Sequence, residues 1–286
     1  MTGAERIRSL VRDRAVLMPG VYDAIGARIA ARIGFDVVFI SGYSVSAARL
    51  GEPDFGFLTQ TEMADAARSV CRVSSAPVIV DADTGYGNAL NVQRAVRELQ
   101  DAGAAGVFLE DQVWPKKCGH MRGKRVIATE EHAAKLRAAC DARGERDLFV
   151  VARTDARQPL GLEEAIDRCL AYKEAGADAL FVEAPQSVEE LERIAEALPA
   201  PLVANMIERG VTPHLTRSEL EQLGFNLIVC PLAGLFAAAK AVGEVLTELH
   251  ERETTAGVYD RLIGFDEFNE LVELEARYAD ELRYSG

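Results

Sequence analysis

The order of apolar and polar positions divides the chain into a repeated unit, a short apolar run followed by a helical pattern. Apolar runs lie near residues 17, 38, 79, 107, 150, 181, 203 and 228, and each precedes a segment of helix length. The runs are continuous rather than alternating, which is typical of parallel strands covered on both faces. The pattern therefore predicts an α/β fold, a (β/α)8 barrel of the TIM type.

Glycines support this division because they stand where helices should end. Helical periodicity covers residues 23–33, 61–73, 91–101, 129–143, 162–174, 188–197 and 216–223, and four of these patterns stop at Gly34, Gly103, Gly176 and Gly224. Glycine after a helix is favoured because it adopts the left-handed conformation. A doubly wound open sheet is the rival fold, but residues 19–23 match its glycine-rich phosphate turn poorly.

Two helical patterns follow the eighth strand. Residues 233–252 read as one helix, and residues 259–284 have apolar residues at helical spacing that must pack against something. We expect one domain over residues 1–286, with the barrel in about 1–252 and a C-terminal helical arm in about 253–286.

Composition and charge indicate which kinds of molecule this protein is not expected to bind. The chain has 286 residues, 49% hydrophobic and 27% charged, with a formal charge of −13, and such acidity argues against nucleic acid or an anionic membrane. No apolar run indicates a signal peptide or a membrane span, so we expect a cytoplasmic protein. Five widely spaced cysteines without a Cys-x-x-Cys pair fit neither a disulfide framework nor a zinc site.

Polar side chains end six consecutive strands, from the second to the seventh. One such residue often marks only the point where a strand meets solvent, but in a barrel all six sets would meet at one rim. They are Ser41, Gly42 and Tyr43; Asp81 and Asp83; Glu110 and Asp111; Arg153; Glu183; and Asn205. This coincidence predicts an active site at the rim.

The acids of the third and fourth strands predict a metal site. Asp81 and Asp83 are two residues apart, so on a strand their side chains share a face, close to Glu110. An oxygen-only cluster suits a hard divalent ion, which predicts Mg²⁺, with Mn²⁺ as the alternative. The cluster lacks His and Cys, which disfavours zinc.

The loop after the fourth strand carries reactive side chains. Residues 116–120 read Lys-Lys-Cys-Gly-His. Lysines and a histidine beside Cys118 predict a thiol pKa below its usual value, and Gly119 leaves the backbone free to fold over a ligand. The alternative is a surface loop with solvated lysines and an incidental cysteine, but the adjoining Glu-Asp strand end argues against it.

These residues resemble the isocitrate lyase and phosphoenolpyruvate mutase superfamily, over nearly the whole barrel. In its lyase branch, the resemblance implies, Cys118 is the general acid on a mobile gate loop, and His120 with Lys116 tunes the thiol and binds the distal carboxylate. Tyr43 would remove the hydroxyl proton or stabilise the alkoxide.

The same resemblance assigns the remaining rim residues. Ser41, Gly42 and Tyr43 would hold the substrate carboxylate, and Arg153 the developing keto oxygen. Gly119, Glu183 and Asn205 would complete the substrate pocket. Asp81, Asp83 and Asp54 would serve the metal, with Glu110 as an acid beside it. Relatives exchange C-terminal helices within a tetramer, so a homotetramer is expected.

The reaction implied is retro-aldol cleavage of a 2-hydroxy dicarboxylate. Relatives that cleave tricarboxylates hold the third carboxylate with arginines, and the matching positions here are Phe236 and residues 254–257, without a cation. We therefore predict a 2-alkylmalate, such as 2,3-dimethylmalate or citramalate, cleaved to pyruvate and a carboxylate. The alternatives are a 2-methylisocitrate lyase, a carboxyphosphonoenolpyruvate phosphonomutase, an oxaloacetate decarboxylase, and a non-enzymatic barrel that binds dicarboxylates.

Overall fold

Eight parallel strands form the centre of the computed structural model, which describes residues 1–285. They are β1 Val16–Val21, β2 Val38–Ile40, β3 Val78–Asp81, β4 Gly106–Glu110, β5 Phe149–Thr154, β6 Ala179–Val182, β7 Val203–Asn205 and β8 Leu227–Cys230. Neighbouring strands pair in sequence order from β1 to β6 and from β7 to β8, and β1 also pairs with β8. A single parallel bridge from Leu180 to Leu202 closes the ring between β6 and β7. The predicted (β/α)8 barrel is confirmed.

Helices follow the strands as the periodicity predicts. They are α1 Gly3–Asp13, α2 Ala24–Ile33, α3 Gly42–Leu50, α4 Gln60–Cys71, α5 Ala89–Asp101, α6 Thr129–Arg143, α7 Arg157–Leu160, α8 Leu162–Glu174, α9 Val188–Ala197, α10 Arg217–Leu223, α11 Ala233–Arg252, α12 Phe265–Leu271 and α13 Leu274–Tyr284, with 3₁₀ turns at Gly144–Arg146 and Ala256–Arg261. The four predicted terminal glycines, Gly34, Gly103, Gly176 and Gly224, all have φ between 94° and 103°. This left-handed geometry confirms that they end their helices.

The sequence analysis did not predict two of these helices, α1 and α3. Helix α1 begins with a capping box between Thr2 and Glu5 and buries Ala4, Ile7 and Val11 on one face. Helix α3, Gly42–Leu50, lies outside the helical patterns given above. Its glycine and serines are poor helix formers, but the Ser41 hydroxyl accepts a hydrogen bond from Ser44 N and caps it. Local capping hydrogen bonds therefore start both helices, and α1 is stabilised further by the apolar residues that it buries.

A layer of large side chains fills the inside of the barrel. Phe39 and Phe108 have ring centroids 4.7 Å apart, and Phe108 and Phe181 have theirs 5.7 Å apart. The buried face of α1 joins the same cluster through Ile7 and Val11. Helix α1 therefore plugs one end of the barrel. Since the site described below lies at the carboxyl ends of the strands, α1 covers the opposite end.

The chain divides into two compact units, Met1–Ala233 and Gly234–Gly286. In the second unit Val258 and Leu271 are buried, whereas Phe265 is 82% exposed and Ile263 is 47% exposed. Such apolar exposure is consistent with association, and the homotetramer and the single-domain boundaries given above remain proposals. Within residues 1–285, no helix is both long and apolar enough to cross a membrane.

Candidate active site

The carboxyl ends of the strands surround a cavity. Nine of the predicted site residues line it, which are Ser41, Tyr43, Asp54, Asp81, Cys118, Gly119, Arg153, Glu183 and Asn205. The other five predicted residues contact members of this set, and they are Gly42, Asp83, Glu110, Lys116 and His120. The structure therefore brings all fourteen together.

The two aspartates of the third strand meet through a turn rather than through a shared strand face. Strand β3 ends at Asp81, and Asp83 lies beyond it with a φ of 48°. Its backbone N donates to Asp81 Oδ1 at 3.1 Å, and Gly42 N donates to Asp81 Oδ2 at 3.3 Å. The prediction that both aspartates lie on the strand was wrong. Their proximity depends on this turn.

Lys116 is paired within the acidic cluster. Its Nζ lies 2.8 Å from Asp54 Oδ2 and 2.7 Å from Asp83 Oδ1, and its side chain is 3% exposed. Burial opposes the charge, but Asp83 and Asp54 hold the pKa of Lys116 well above its usual value. The ammonium is therefore engaged with these carboxylates rather than directed at a substrate carboxylate or at the cysteine.

Cys118 has a protonated thiol, contrary to the prediction of a lowered pKa. Burial raises the pKa of Cys118 to about 12, and this effect exceeds the opposing influence of a backbone hydrogen bond from His120 and the charge of Lys116. Its backbone N donates to Asp54 O at 3.1 Å, which ties the loop to the residues after α3. A thiol that keeps its proton at neutral pH suits proton donation.

Arg153 lies among three carboxylates. Its Nε and Nη2 donate to Asp155 at 2.9 and 3.1 Å, and Nε lies 3.4 Å from Glu110 Oε2. Glu183 Oε1 is 3.8 Å from Nη2. Despite the cost of burial, these acids hold the pKa of Arg153 well above its usual value, so the guanidinium stays charged.

Glu183 connects the sixth and seventh strands with the loop. Asn205 Nδ2 donates to its two carboxylate oxygens at 3.2 and 3.3 Å. His120 Nε2 lies 3.4 Å from Glu183 Oε1, while His120 Nδ1 accepts a hydrogen bond from Val211 N at 3.2 Å. Burial lowers the pKa of His120, which favours the neutral ring. Such a ring accepts at Nδ1 and carries its proton at Nε2, towards Glu183.

The comparisons with known proteins agree with this geometry. The phosphoenolpyruvate phosphomutase family model matches residues 7–250. A carboxyvinyl-carboxyphosphonate phosphorylmutase of Arabidopsis thaliana is 54% identical over 98% of this chain and 84% of its own length. The 2,3-dimethylmalate lyase of Eubacterium barkeri is 48% identical over 96% of both chains. The chain belongs to the phosphoenolpyruvate mutase family.

A solved structure of this family gives the same result for the fold. Phosphonopyruvate hydrolase in complex with oxalate and Mg²⁺ superposes with a TM-score of 0.90 at 30% identity, over 100% of both chains. The predicted membership of the isocitrate lyase and phosphoenolpyruvate mutase superfamily, in its lyase branch, is confirmed. The prediction of a carbon-carbon lyase is confirmed with it.

The sequence analysis missed two buried residues of this phosphoenolpyruvate mutase family member. Asp155 follows β5 and holds Arg153, and the Nζ of Lys124 donates to Asp155 Oδ1 at 2.8 Å. Although burial opposes ionisation, Arg153 and Lys124 keep the pKa of Asp155 below its usual value. The only signal in the sequence was Asp155 two residues after Arg153, and nothing there connects it with Lys124.

The acidic cluster leaves polar atoms without partners. Asp83 Oδ2 and Glu110 Oε1 are buried without a hydrogen-bond partner, whereas Asp83 Oδ1 lies in the ion pair with Lys116. Buried orphan carboxylate oxygens are costly unless a cation satisfies them. Within residues 1–285, no group of three or more His, Cys, Asp or Glu side chains is arranged to hold a metal ion. The support for a cation here is therefore the buried, unpartnered carboxylate oxygens of Asp83 and Glu110.

Proposed function

We propose that this chain is a magnesium-dependent lyase that cleaves a 2-alkylmalate to pyruvate and a carboxylate. The observation that carries the proposal is the protonated thiol of Cys118 in the wall of the cavity that Arg153 also lines. Carbon-carbon cleavage next to a carboxylate leaves a carbanion, and this thiol supplies a proton donor in the cavity where that carbanion would form.

Magnesium fits the acidic side of the cavity. Asp81 and Asp83 would hold the ion, with Asp54 and Glu110 beside it, because Mg²⁺ commonly takes one or two carboxylates and keeps its other positions for water and substrate oxygens. The unpartnered oxygens of Asp83 and Glu110 support this assignment. When bound, the ion supplies positive charge to the developing keto oxygen. Phosphonopyruvate hydrolase, a structural relative, was crystallised with Mg²⁺.

The substrate carboxylate on C1 would bind at the start of α3. Backbone N–H groups point out of a helix N-terminus, and the helix dipole favours an anion there. Ser41 caps this helix, and Gly42 and Tyr43 form its first turn. Glu183 and Asn205 lie across the same cavity and would orient the substrate.

Cleavage breaks the C2–C3 bond as the C2 hydroxyl gives its proton to a water molecule. C2 becomes the keto carbon of pyruvate, and the bonding electron pair stays on C3 beside the second carboxylate. Arg153 stabilises the negative charge on the C2 oxygen, and Cys118 donates its proton to C3. Burial raises the pKa of Tyr43, so its phenol is a hydrogen-bond donor at neutral pH, which favours alkoxide stabilisation over proton removal.

The wall of the cavity limits the substrate to a small dicarboxylate. Among the described residues that line it, Arg153 is the only lysine, arginine or histidine, and the wall also includes Ile207, Val229 and Leu232. An unpaired buried carboxylate costs several kcal/mol, whereas a buried CH₂ gains about 0.8 kcal/mol. An alkyl group therefore fits better than a third carboxylate.

Steady-state kinetics with Mg²⁺ test this proposal. We expect kcat/KM for 2,3-dimethylmalate or citramalate to exceed that for isocitrate and 2-methylisocitrate at least tenfold, and EDTA to stop turnover until Mg²⁺ is restored. A tenfold preference for 2-methylisocitrate would refute the alkylmalate specificity alone. Absence of any 2-oxo acid product, pyruvate from the three 2-methyl substrates and glyoxylate from isocitrate, would refute the proposed cleavage itself.

Phosphonomutase activity is the second candidate, and the Arabidopsis thaliana relative that is 54% identical favours it. A phosphoryl group would use the charge of Arg153 and the amides of the α3 N-terminus. Phosphorus NMR with carboxyphosphonoenolpyruvate separates the two candidates, because only the mutase changes this resonance pattern.

A further inference from the structure

A gate segment, residues 112–126, forms one wall of the candidate site. It leaves β4 and returns before α6, and its ends meet in a single antiparallel bridge between Gln112 and Val126. Cys118 and Gly119 line the cavity, and a Cβ built on Gly119 would overlap Glu183 and Arg153. Because the segment lies directly against these side chains, we infer that it moves to give a dicarboxylate full access to Arg153. Breakable contacts must therefore hold it closed.

One such contact lies beneath the segment. Lys124 Nζ donates to Gly119 O at 2.5 Å and to Asp155 Oδ1 at 2.8 Å, and the side chains of Lys124 and Asp155 are fully buried. Gly119 belongs to the gate segment, whereas Asp155 follows β5 in the barrel. The ammonium of Lys124 therefore connects the gate segment to Asp155 at the end of β5.

Asp155 is itself fixed in two other ways. Its carboxylate accepts two hydrogen bonds from Arg153, and its backbone N donates to Asp111 Oδ1 at 2.8 Å. Asp111 also accepts from Thr154 and Tyr172, so this support is rigid. When the gate segment leaves, Asp155 keeps Arg153 as a partner and Lys124 regains water. Opening therefore leaves no buried charge unpaired, which keeps the contact reversible.

We propose that Lys124 is a positioning residue that locks the gate segment closed through its buried ion pair with Asp155. In the closed state Asp155 Oδ1 accepts from both Lys124 and Arg153 Nη2. Closure therefore places a second cation on the carboxylate that orients Arg153. The proton donor Cys118 and the cation Arg153 are brought to their working positions by the same contact.

The other closing contacts are less suitable for a test. Lys116 binds Asp54 and Asp83, and His120 lies against Glu183, so substitutions there disturb residues of the candidate site. Lys124 belongs to the gate segment, and its ammonium donates to a backbone carbonyl of the same segment, that of Gly119, and to Asp155. Arg125, the next residue, is exposed, and its replacement removes the same charge from the same segment without touching Asp155.

Alkylation of Cys118 measures the closed fraction of the full-length protein. Iodoacetamide labelling without substrate or added metal is followed for each cysteine by peptide mass spectrometry. Lys124→Met is expected to label Cys118 at least tenfold faster than the wild type, and Arg125→Met within twofold of it. Cys169 is fully buried, so its protection reports an intact fold in every variant. Lys124→Arg, which keeps the charge and its donors, is expected to restore most of the protection.

A double substitution tests whether Lys124 and Asp155 act through the same contact. Asp155→Asn with Lys124→Met should label Cys118 no faster than Lys124→Met alone, because each variant breaks the same contact. Cys118 labelling of Lys124→Met within twofold of the wild type overturns the proposal. If Cys169 becomes reactive in Lys124→Met, Lys124→Gln takes its place under the same criterion. No substrate is present, so the result is independent of whether the proposed lyase activity is correct.

Discussion

At the scale of single residues, Cys118 shows how burial outweighs sequence neighbours. Lys116, Lys117 and His120 stand beside it in the chain and predict a thiolate. In the fold Lys116 is paired with Asp54 and Asp83, and His120 has a lowered pKa. Burial then dominates and keeps the thiol protonated. The proposed general-acid role therefore rests on burial of the thiol and not on the charges of its neighbours in the chain.

Substitution of Cys118 tests this role. Cys118→Ser is expected to lower kcat by about 10²- to 10⁴-fold, the usual contribution of a general acid, because a hydroxyl is a far weaker acid than a thiol. Thermal stability should be unchanged. Cys140→Ser, a half-buried cysteine on α6, serves as the control and should keep full activity. A fully active Cys118→Ser enzyme would exclude the thiol as the proton donor.

At the scale of elements, α1 shows a packing role that is easily missed. Its apolar residues Ala4, Ile7 and Val11 are spaced for one helix face, but the segment is short and rich in charge. Ile7 is completely buried in the cluster inside the barrel. Helix α1 therefore closes the end of the barrel opposite the candidate active site. Its contribution should be to stability rather than to catalysis.

Truncation of Ile7 tests whether α1 contributes to stability without contributing to catalysis. Ile7→Ala removes a fully buried side chain and leaves a cavity, so it should lower the free energy of unfolding by about 2–5 kcal/mol. Urea unfolding measures this loss, and kcat at a temperature where the variant is folded should stay within twofold of the wild type. Arg12→Ala, exposed on the same helix, is the matched control. Equal stabilities of Ile7→Ala and Arg12→Ala would contradict the plug role.

At the scale of the whole molecule, arginine-carboxylate pairs join distant parts of the barrel. Arg8 on α1 binds Asp147 and Asp178, which precede the fifth and sixth strands. The hydrogen bond from Arg8 holds the pKa of Asp147 below its usual value, in spite of partial burial. A carboxyl group whose pKa is lower in the folded state than in the unfolded state stabilises the fold at pH values above its unfolded-state pKa. This stabilisation is lost as the pH falls through its folded-state pKa.

The lowered pKa of Asp147 in the folded state predicts how stability depends on pH. Asp147→Asn should be less stable than the wild type at pH 7, and the difference should shrink as the pH falls from about 4 through the lowered pKa of Asp147. Asp147 has φ 61° and ψ 152°, a strained conformation for either residue, and because Asp and Asn have nearly the same size this strain is common to both proteins. Thermal unfolding from pH 7 to pH 3 measures it, with exposed Asp13→Asn as the control. A difference that is constant over this range would be inconsistent with the charge argument.

The sequence by itself determined the barrel and most of its rim. Continuous apolar runs, terminal glycines and polar residues at the ends of six strands are local signals, and a closed parallel barrel has only one edge where such strand ends meet. Arg153, Glu183 and Asn205 could be placed in one cavity for this reason, although they are far apart in the chain.

Only the tertiary structure decided the electrostatics and the buried support. The pKa of a side chain depends on burial and on charges that arrive from other strands, so the pairing of Lys116 and the protonated thiol of Cys118 could not be read from neighbours in the chain. The contact between Lys124 and Asp155 joins residues 31 positions apart and leaves no periodic pattern. The strand ends fix which residues meet, and the loops and turns that fold over them fix the distances and charges at which they meet.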